Sequence, residues 1–103
     1  MRASKNCVAV FLCLFSMASA VNAIAYTGRQ LAKEAKISMV EAREIALKAH
    51  PGKIIDEELE REKGGSGLRY SFDIRRGKST QEVGVDAKTG KVLENAPEGP
   101  HAD

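Results

Sequence analysis

Strict alternation of apolar and polar side chains marks one segment of the chain as a β-strand. Between residues 68 and 75 every second position is apolar, and these positions are Leu68, Tyr70, Phe72 and Ile74. Because successive side chains of a strand point to opposite faces of a sheet, the pattern predicts a strand with one buried and one polar face. Val83 and Val85 continue the alternation in a further strand, and residues 91–94 are a short last strand.

A helical pattern covers residues 38–50. Its apolar positions recur at helical spacing and form an alanine-rich stripe suited to close packing on a sheet: Ala42, Ile45, Ala46 and Ala49. Ser38, followed three residues later by Glu41, has the spacing of a capping box. His50, Pro51 and Gly52 then end the helix.

Residues 53–63 are ambiguous, because their composition favours a helix whereas alternate positions weakly favour a strand. The glycine-rich turn at residues 64–67 is typical of a hairpin. Since the strand after that turn needs a neighbour, residues 54–62 are interpreted as a charged strand, at an edge of the sheet. The predicted fold is α+β, with one main N-terminal helix packed on a three- to four-stranded antiparallel meander.

The first residues have the features of a secretory signal peptide. Arg2 and Lys5 precede an apolar run at residues 7–17, and small residues follow. Residues 1–23 are therefore predicted to be a signal peptide, with cleavage between residues 20 and 25. The alternative is an uncleaved anchor, although the run is shorter than the roughly 20 apolar residues of a spanning helix.

The rest of the chain divides into three predicted parts. Residues 24–36 are a lead-in segment, either a loose helix or irregular, and residues 37–95 are the folded domain. Residues 96–103 contain two prolines and a glycine and are predicted to be a flexible C-terminal tail. No stable membrane insertion is expected after cleavage.

Charge and cysteine content narrow the possible functions. The chain has 16 basic and 14 acidic residues, and removal of Arg2 and Lys5 leaves 14 of each. A nucleic-acid partner is not expected, because it requires concentrated positive charge. Cys7 and Cys13 both lie in the predicted signal peptide, so the mature chain is predicted to lack disulfides and thiolates.

Candidate catalytic and metal-binding residues are few. A metal site needs several converging ligands, and the two histidines are His50 at the helix end and His101 in the tail. No serine lies in a G-x-S-x-G context. The carboxylates of residues 56–62 lack an apolar wall that would separate their pKa values. The sequence therefore predicts no enzyme, no metal site and no cofactor.

Two charged turns resemble binding sites when their residues are taken singly. In "DAKTGKVL" (residues 86–93) a strand follows Lys91, whereas a P-loop is followed by a helix, and Asp86 stands alone where a calcium loop has several acidic ligands. Asp86, Thr89 and Gly90 instead predict a turn. The basic residues 75–78 are interpreted as an exposed hairpin tip, with phosphate or carboxylate binding as the alternative.

Three segments in order resemble the PepSY domain (peptidase propeptide and YpeB domain). They are "ISMVEAREIALKAHPGKI" at residues 37–54, "YSFDI" at 70–74 and "VDAKTGKVL" at 85–93. The resemblance implies a small exported member of a non-catalytic family that occurs in the propeptides of thermolysin-like metalloproteases and in envelope proteins. An inhibitory or regulatory role towards proteases has been proposed for the family. Since no protease domain follows residue 103, we expect any such action to occur in trans.

We therefore expect a periplasmic or secreted protein-binding module that uses a sheet edge or the exposed sheet face. Its partner would be a protein, such as an envelope protease or sensor. The candidate partner-binding residues are Glu58, Glu60, Arg69, Arg75 and Arg76. The alternative is a small-ligand or metal carrier of the cell envelope, which requires a pocket between helix and sheet or a role for His50 and His101.

Overall fold

A computed structural model describes residues 26–98 of the protein. The predicted signal peptide, its cleavage site and His101 lie outside these residues. The described elements, in chain order, are a 3-10 helix (Arg29–Glu34), helix α1 (Met39–Ala49) and strands β1 (Lys53–Arg61), β2 (Leu68–Arg76), β3 (Ser79–Asp86) and β4 (Val92–Pro97). The strands form one antiparallel sheet in the order β1-β2-β3-β4. The predicted α+β fold is confirmed.

Helix α1 begins where the sequence places its cap. The Ser38 hydroxyl accepts a hydrogen bond from the Glu41 backbone N–H at 3.1 Å, and the Glu41 carboxylate accepts one from the Ser38 N–H at 2.9 Å. At the other end, His50 is extended, and its N–H bonds to the Ala46 carbonyl. The N–H groups of Ser38 and Glu41 at the start of the helix are thus both bonded to side chains, as a capping box requires.

The core lies between α1 and one face of the sheet. Ala42 and Ala46 are fully buried on the helix, and their small side chains let the helix backbone approach the strands closely. The sheet contributes side chains that are at most 2 % exposed, namely Leu59, Leu68, Tyr70, Phe72, Ile74, Val83 and Val85. The phenol of Tyr70 donates a hydrogen bond to the Ile37 carbonyl at 2.8 Å, which satisfies its buried polar end.

The ambiguous segment after α1 is strand β1, as interpreted from the hairpin. β1 lies at the sheet edge and contains a bulge between Ile54 and Asp56. The bulge places Ile54 opposite Ile74, whereas Ile55 is 42 % exposed. Simple alternation along β1 would place Ile55 rather than Ile54 on the side of Leu59, but the one inserted residue reverses the faces before it.

The lead-in segment covers part of the β1 edge. Thr27 forms a parallel bridge with Glu58, and its carbonyl accepts a hydrogen bond from the Leu59 N–H at 2.8 Å. Gly28 follows with a φ of +87°, and a Cβ at this position would collide with the Leu59 carbonyl. Only glycine combines this backbone conformation with so close an approach.

Strand β4 extends further than the sequence predicts. It continues past Glu94 to Pro97, in register with Gln81, and the Glu98 N–H bonds to the Thr80 carbonyl. Residues 96 and 97, predicted to be in the tail, are therefore paired in the sheet. Proline is tolerated here because an edge strand has one side without ladder partners. Among residues 26–98, no helix is long and apolar enough to cross a membrane.

Candidate functional site

The sheet has a second face, opposite α1, which we call the open face. Strand register and alternation assign to it Lys53, Asp56, Glu58 and Glu60 of β1, Arg69, Ser71, Asp73 and Arg75 of β2, Thr80, Glu82, Gly84 and Asp86 of β3, and Glu94 and Ala96 of β4. Carboxylates in this set outnumber the cationic side chains. The open face is therefore an anionic surface on a protein whose mature charges are predicted to balance.

Three carboxylates lie in one row across the open face. Asp56 pairs with Asp73, and Asp73 pairs with Glu82 on the next strand; we call these three residues the carboxylate row. Within residues 26–98 none of the three takes part in an ion pair. Like charges directly opposite each other destabilise a sheet, so the row opposes folding while its members are ionised.

The electrostatics of the row raise the pKa of its inner members. Burial, together with the charges of Glu98 and Asp56, raises the pKa of Asp73 above its ordinary value. Burial likewise raises the pKa of Glu82, and the charges of Glu94 and Asp73 raise it further. Both carboxyl groups therefore take up protons more readily in the folded protein than in the unfolded chain.

Two of the predicted partner-binding residues, Glu58 and Glu60, lie next to this row on β1. Burial and the neighbouring carboxylates, Glu60 first, raise the pKa of Glu58. Glu60 accepts a hydrogen bond from the Ser71 hydroxyl at 2.7 Å. Both side chains are half-buried, so they remain accessible to a partner on the open face.

Arg69, also predicted to bind a partner, is 8 % exposed and engaged within the protein. Its side chain lies across β3 at Gly84, where a Cβ would come within 2.8 Å of the arginine Cδ. The guanidinium is 3.3 Å from the Glu94 carboxylate, 3.8 Å from that of Glu62, and donates a hydrogen bond to the Lys63 carbonyl. Its buried Nε has no hydrogen-bond partner in the described part of the chain. Gly84, which leaves room for the Arg69 side chain, is the one feature of the sequence that could have indicated this arrangement.

The remaining candidates, Arg75 and Arg76, are exposed at the end of β2. Alternation places Arg75 on the open face and Arg76 on the other. The structure therefore brings Glu58, Glu60 and Arg75 together on one accessible surface. It separates Arg76 from them and buries Arg69 among them.

Asp86 is a buried carboxylate. The sequence indicated its place in a turn but not its contacts with other parts of the chain. It is 1 % exposed and accepts hydrogen bonds from the Ser66 N–H (2.6 Å) and hydroxyl (2.7 Å) and from the N–H groups of Lys88 (2.8 Å) and Thr89 (3.1 Å). Burial alone would raise its pKa, but these hydrogen bonds together outweigh it and lower the pKa to about 2. Asp86 thus joins the β1–β2 turn to the β3–β4 turn, and "DAKTGK" is a turn, as predicted.

The carrier alternative requires space between helix and sheet, where buried apolar side chains of both form one core cluster. A cleft of about 730 Å³ opens between α1 and the β1 edge, lined by Tyr26, Thr27, Arg43, Ile54, Ile55, Asp56 and Glu57. Two hydrogen bonds of 2.8 Å pair Arg43 with Glu57 inside it. Over residues 26–98, no three His, Cys, Asp or Glu side chains are grouped to hold a metal.

Comparison with known proteins identifies a family for the chain. Residues 36–95, more than half of the chain, match the family model described as "Peptidase propeptide and YPEB domain", or PepSY. The match includes α1, all of β1–β3 and most of β4. No curated protein and no solved structure matches the chain.

Proposed function

Because the chain belongs to the PepSY family, we propose that it is an exported, non-enzymatic protein-binding module that regulates or inhibits a cell-envelope peptidase in trans. PepSY domains are typically propeptide-like or inhibitor-like and non-catalytic. They are associated with peptidases and are commonly extracellular or periplasmic. These family properties support a peptidase as the partner and the cell envelope as the compartment.

The observation that carries the proposal is the open face. A regulator that acts by binding needs a surface that its own core does not use, and the helix occupies the other face of the sheet. Glu58, Glu60 and Arg75 are accessible on the open face. They give it charged groups with which to select a partner by complementarity.

The sheet edges offer a poorer contact surface. On β1, Thr27 bonds to the Leu59 N–H, and the Asp56 carboxylate accepts a hydrogen bond from the Glu57 N–H at 3.0 Å. On the opposite edge, β4 is six residues long and ends in Pro97. Occupied donors, short length and proline all limit the addition of a further strand. We therefore assign partner binding to the open face rather than to an edge.

Site-specific photocrosslinking in the cells that make the protein tests this assignment. A photoreactive amino acid replaces Glu58 on the open face or, as a matched control, the exposed Glu44 on α1. We expect a crosslinked product of discrete mass from position 58 and none from position 44, with a peptidase identified in it by mass spectrometry. Identical products from both positions, or none from either, would contradict the proposal.

The role and the compartment need their own measurements. The purified protein should lower the activity of the crosslinked peptidase, and the Glu44→Gln variant should lower it equally. Peptidase activity that does not change when the protein is added would contradict the inhibitory role. Mass spectrometry of the protein from the envelope fraction should show an N-terminus between residues 20 and 25. Recovery of only the uncleaved chain would contradict release after export.

A further inference from the structure

Most of the accessible charge of the open face is negative. Arg69 is buried and engaged with Glu94, which leaves Lys53 and Arg75, paired with each other at one end of the face, as its accessible cations. Asp56, Glu58, Asp73, Glu82 and Glu94 are all exposed or half-buried there. The potential over the centre of the face is therefore negative, and it attracts cations.

The negative charge of the open face lowers the stability of the fold. The register opposes Asp56 to Asp73 and Asp73 to Glu82, without a compensating ion pair on any of them within residues 26–98. Neutral polar side chains at these three positions would destabilise the sheet less. Local choices that work against the fold are expected where a surface serves another purpose.

An observation independent of the acidic charge also indicates a ligand. Arg69, more than nine-tenths buried on the same face, has an Nε–H without an acceptor in the described chain. A buried donor left without an acceptor is costly. A main-chain carbonyl of a bound segment would supply the acceptor after rotation of the arginine side chain, and such rotations are common on binding.

The dimensions of the row suit an extended polypeptide. Neighbouring strands are about 4.8 Å apart, so three carboxylates in register span about 10 Å. In an extended chain, side chains at positions i and i+2 lie on one side about 7 Å apart. Two cationic side chains of such a segment therefore reach the carboxylate row together.

We propose that the open face binds an extended segment of a partner protein in which Lys or Arg recurs at every second position, with those cations over the carboxylate row. This inference rests on the proposed function, because it specifies the chemistry of the partner bound at that face. Cations in place over the row relieve the repulsion among Asp56, Asp73 and Glu82. Binding and the stability of the sheet are thereby coupled.

Two blocked peptides of equal length test the proposal by isothermal titration calorimetry with the purified full chain. One alternates Lys with Ser over eight residues and the other alternates Glu with Ser. We expect binding of the lysine peptide that weakens as salt rises, and none of the glutamate peptide. Glu82→Gln should weaken binding about three- to fivefold, the effect of one ion pair worth about 1 kcal/mol.

Glu44→Gln on α1 is the matched control, because it makes the same chemical change with the same loss of charge away from the open face. Equal affinities of Glu82→Gln and Glu44→Gln, or failure of the lysine peptide to bind, would overturn the inference. If the Glu58 photocrosslink still captured a peptidase in that case, the proposed function would stand without the cationic segment. Concentration-dependent dimerisation abolished by Arg75→Ser would also overturn it, since the cationic segment would then belong to a second copy of this chain.

Discussion

At the scale of single residues, Asp86 shows how one carboxylate can organise two turns. Its oxygens accept four hydrogen bonds, two from Ser66 in the β1–β2 turn and two from the turn that follows β3. Gly65 lies so close to it that a Cβ would collide with the carboxylate. The sequence predicts the local Asx-type bonds of Asp86. It could not predict the bonds to Ser66, because these join residues 20 positions apart.

We expect Asp86→Asn to lower the free energy of unfolding by about 2 kcal/mol at pH 7, because the amide group places a donor where the carboxylate accepts. The pKa of Asp86 is lowered from 3.8 to about 2 in the folded protein. Its ionised form therefore stabilises the fold above pH 3.8, and this contribution is lost as the pH falls through about 2. Urea unfolding should show a difference between variant and wild type that shrinks below pH 4. A difference that is constant down to pH 2 would contradict this role.

Substitutions at Gly90 and Lys88 test whether this segment serves only as a turn, because one should destabilise the fold and the other should not. Gly90 has a φ of +80°, and a Cβ there would lie 3.3 Å from the Ile45 Cδ1. Gly90→Val should therefore cost about 2 kcal/mol or more, whereas Lys88→Ala should stay within about 0.5 kcal/mol. Lys88 contributes its backbone N–H, which the substitution keeps. Loss of partner crosslinking in a folded Lys88→Ala protein would show that the turn also binds.

At the scale of elements, local patterns predict what depends on neighbours in sequence. The cap of α1 and the buried face of β2 follow from residues within a few positions of one another. The β1 bulge, which exposes Ile55, and the extension of β4 to Pro97 do not. Both result from pairing with a strand elsewhere in the chain, and composition at these sites favours other structures.

The capping box gives a prediction at this scale. Ser38→Ala removes the hydroxyl that accepts from the Glu41 N–H, and we expect it to cost about 1 kcal/mol of stability. Ser38→Asp is the matched control, since aspartate is an equally good cap. Thermal unfolding followed by circular dichroism measures both. An alanine variant as stable as the aspartate variant would mean that tertiary packing alone fixes the start of the helix.

At the scale of the whole molecule, the two faces of the sheet have different roles. The face under α1 holds the core, whereas the open face holds carboxylates that the fold does not neutralise. Glu58, Glu60 and Arg75 could be chosen from sequence because charged residues alternate visibly with apolar ones. The carboxylate row could not, because opposing Asp56 to Asp73 and Asp73 to Glu82 requires the register of three strands. The burial of Arg69 depends likewise on Gly84 of the adjacent strand.

The carboxylate row predicts a variant that is more stable but binds less well. Asp73 has a raised pKa, so its charged form is penalised in the folded protein, and Asp73→Asn should add about 0.5–1 kcal/mol of stability at pH 7. The gain should vanish as the pH falls below about 4, where the wild-type carboxyl is protonated in both the folded and the unfolded states. Urea unfolding at pH 7 and at about pH 3 measures this, with Glu44→Gln as a control that changes stability at either pH by no more than about 0.5 kcal/mol. The same Asp73→Asn protein should bind the lysine peptide more weakly than the wild type. A variant less stable than the wild type at pH 7 would show that the row supports the sheet rather than straining it.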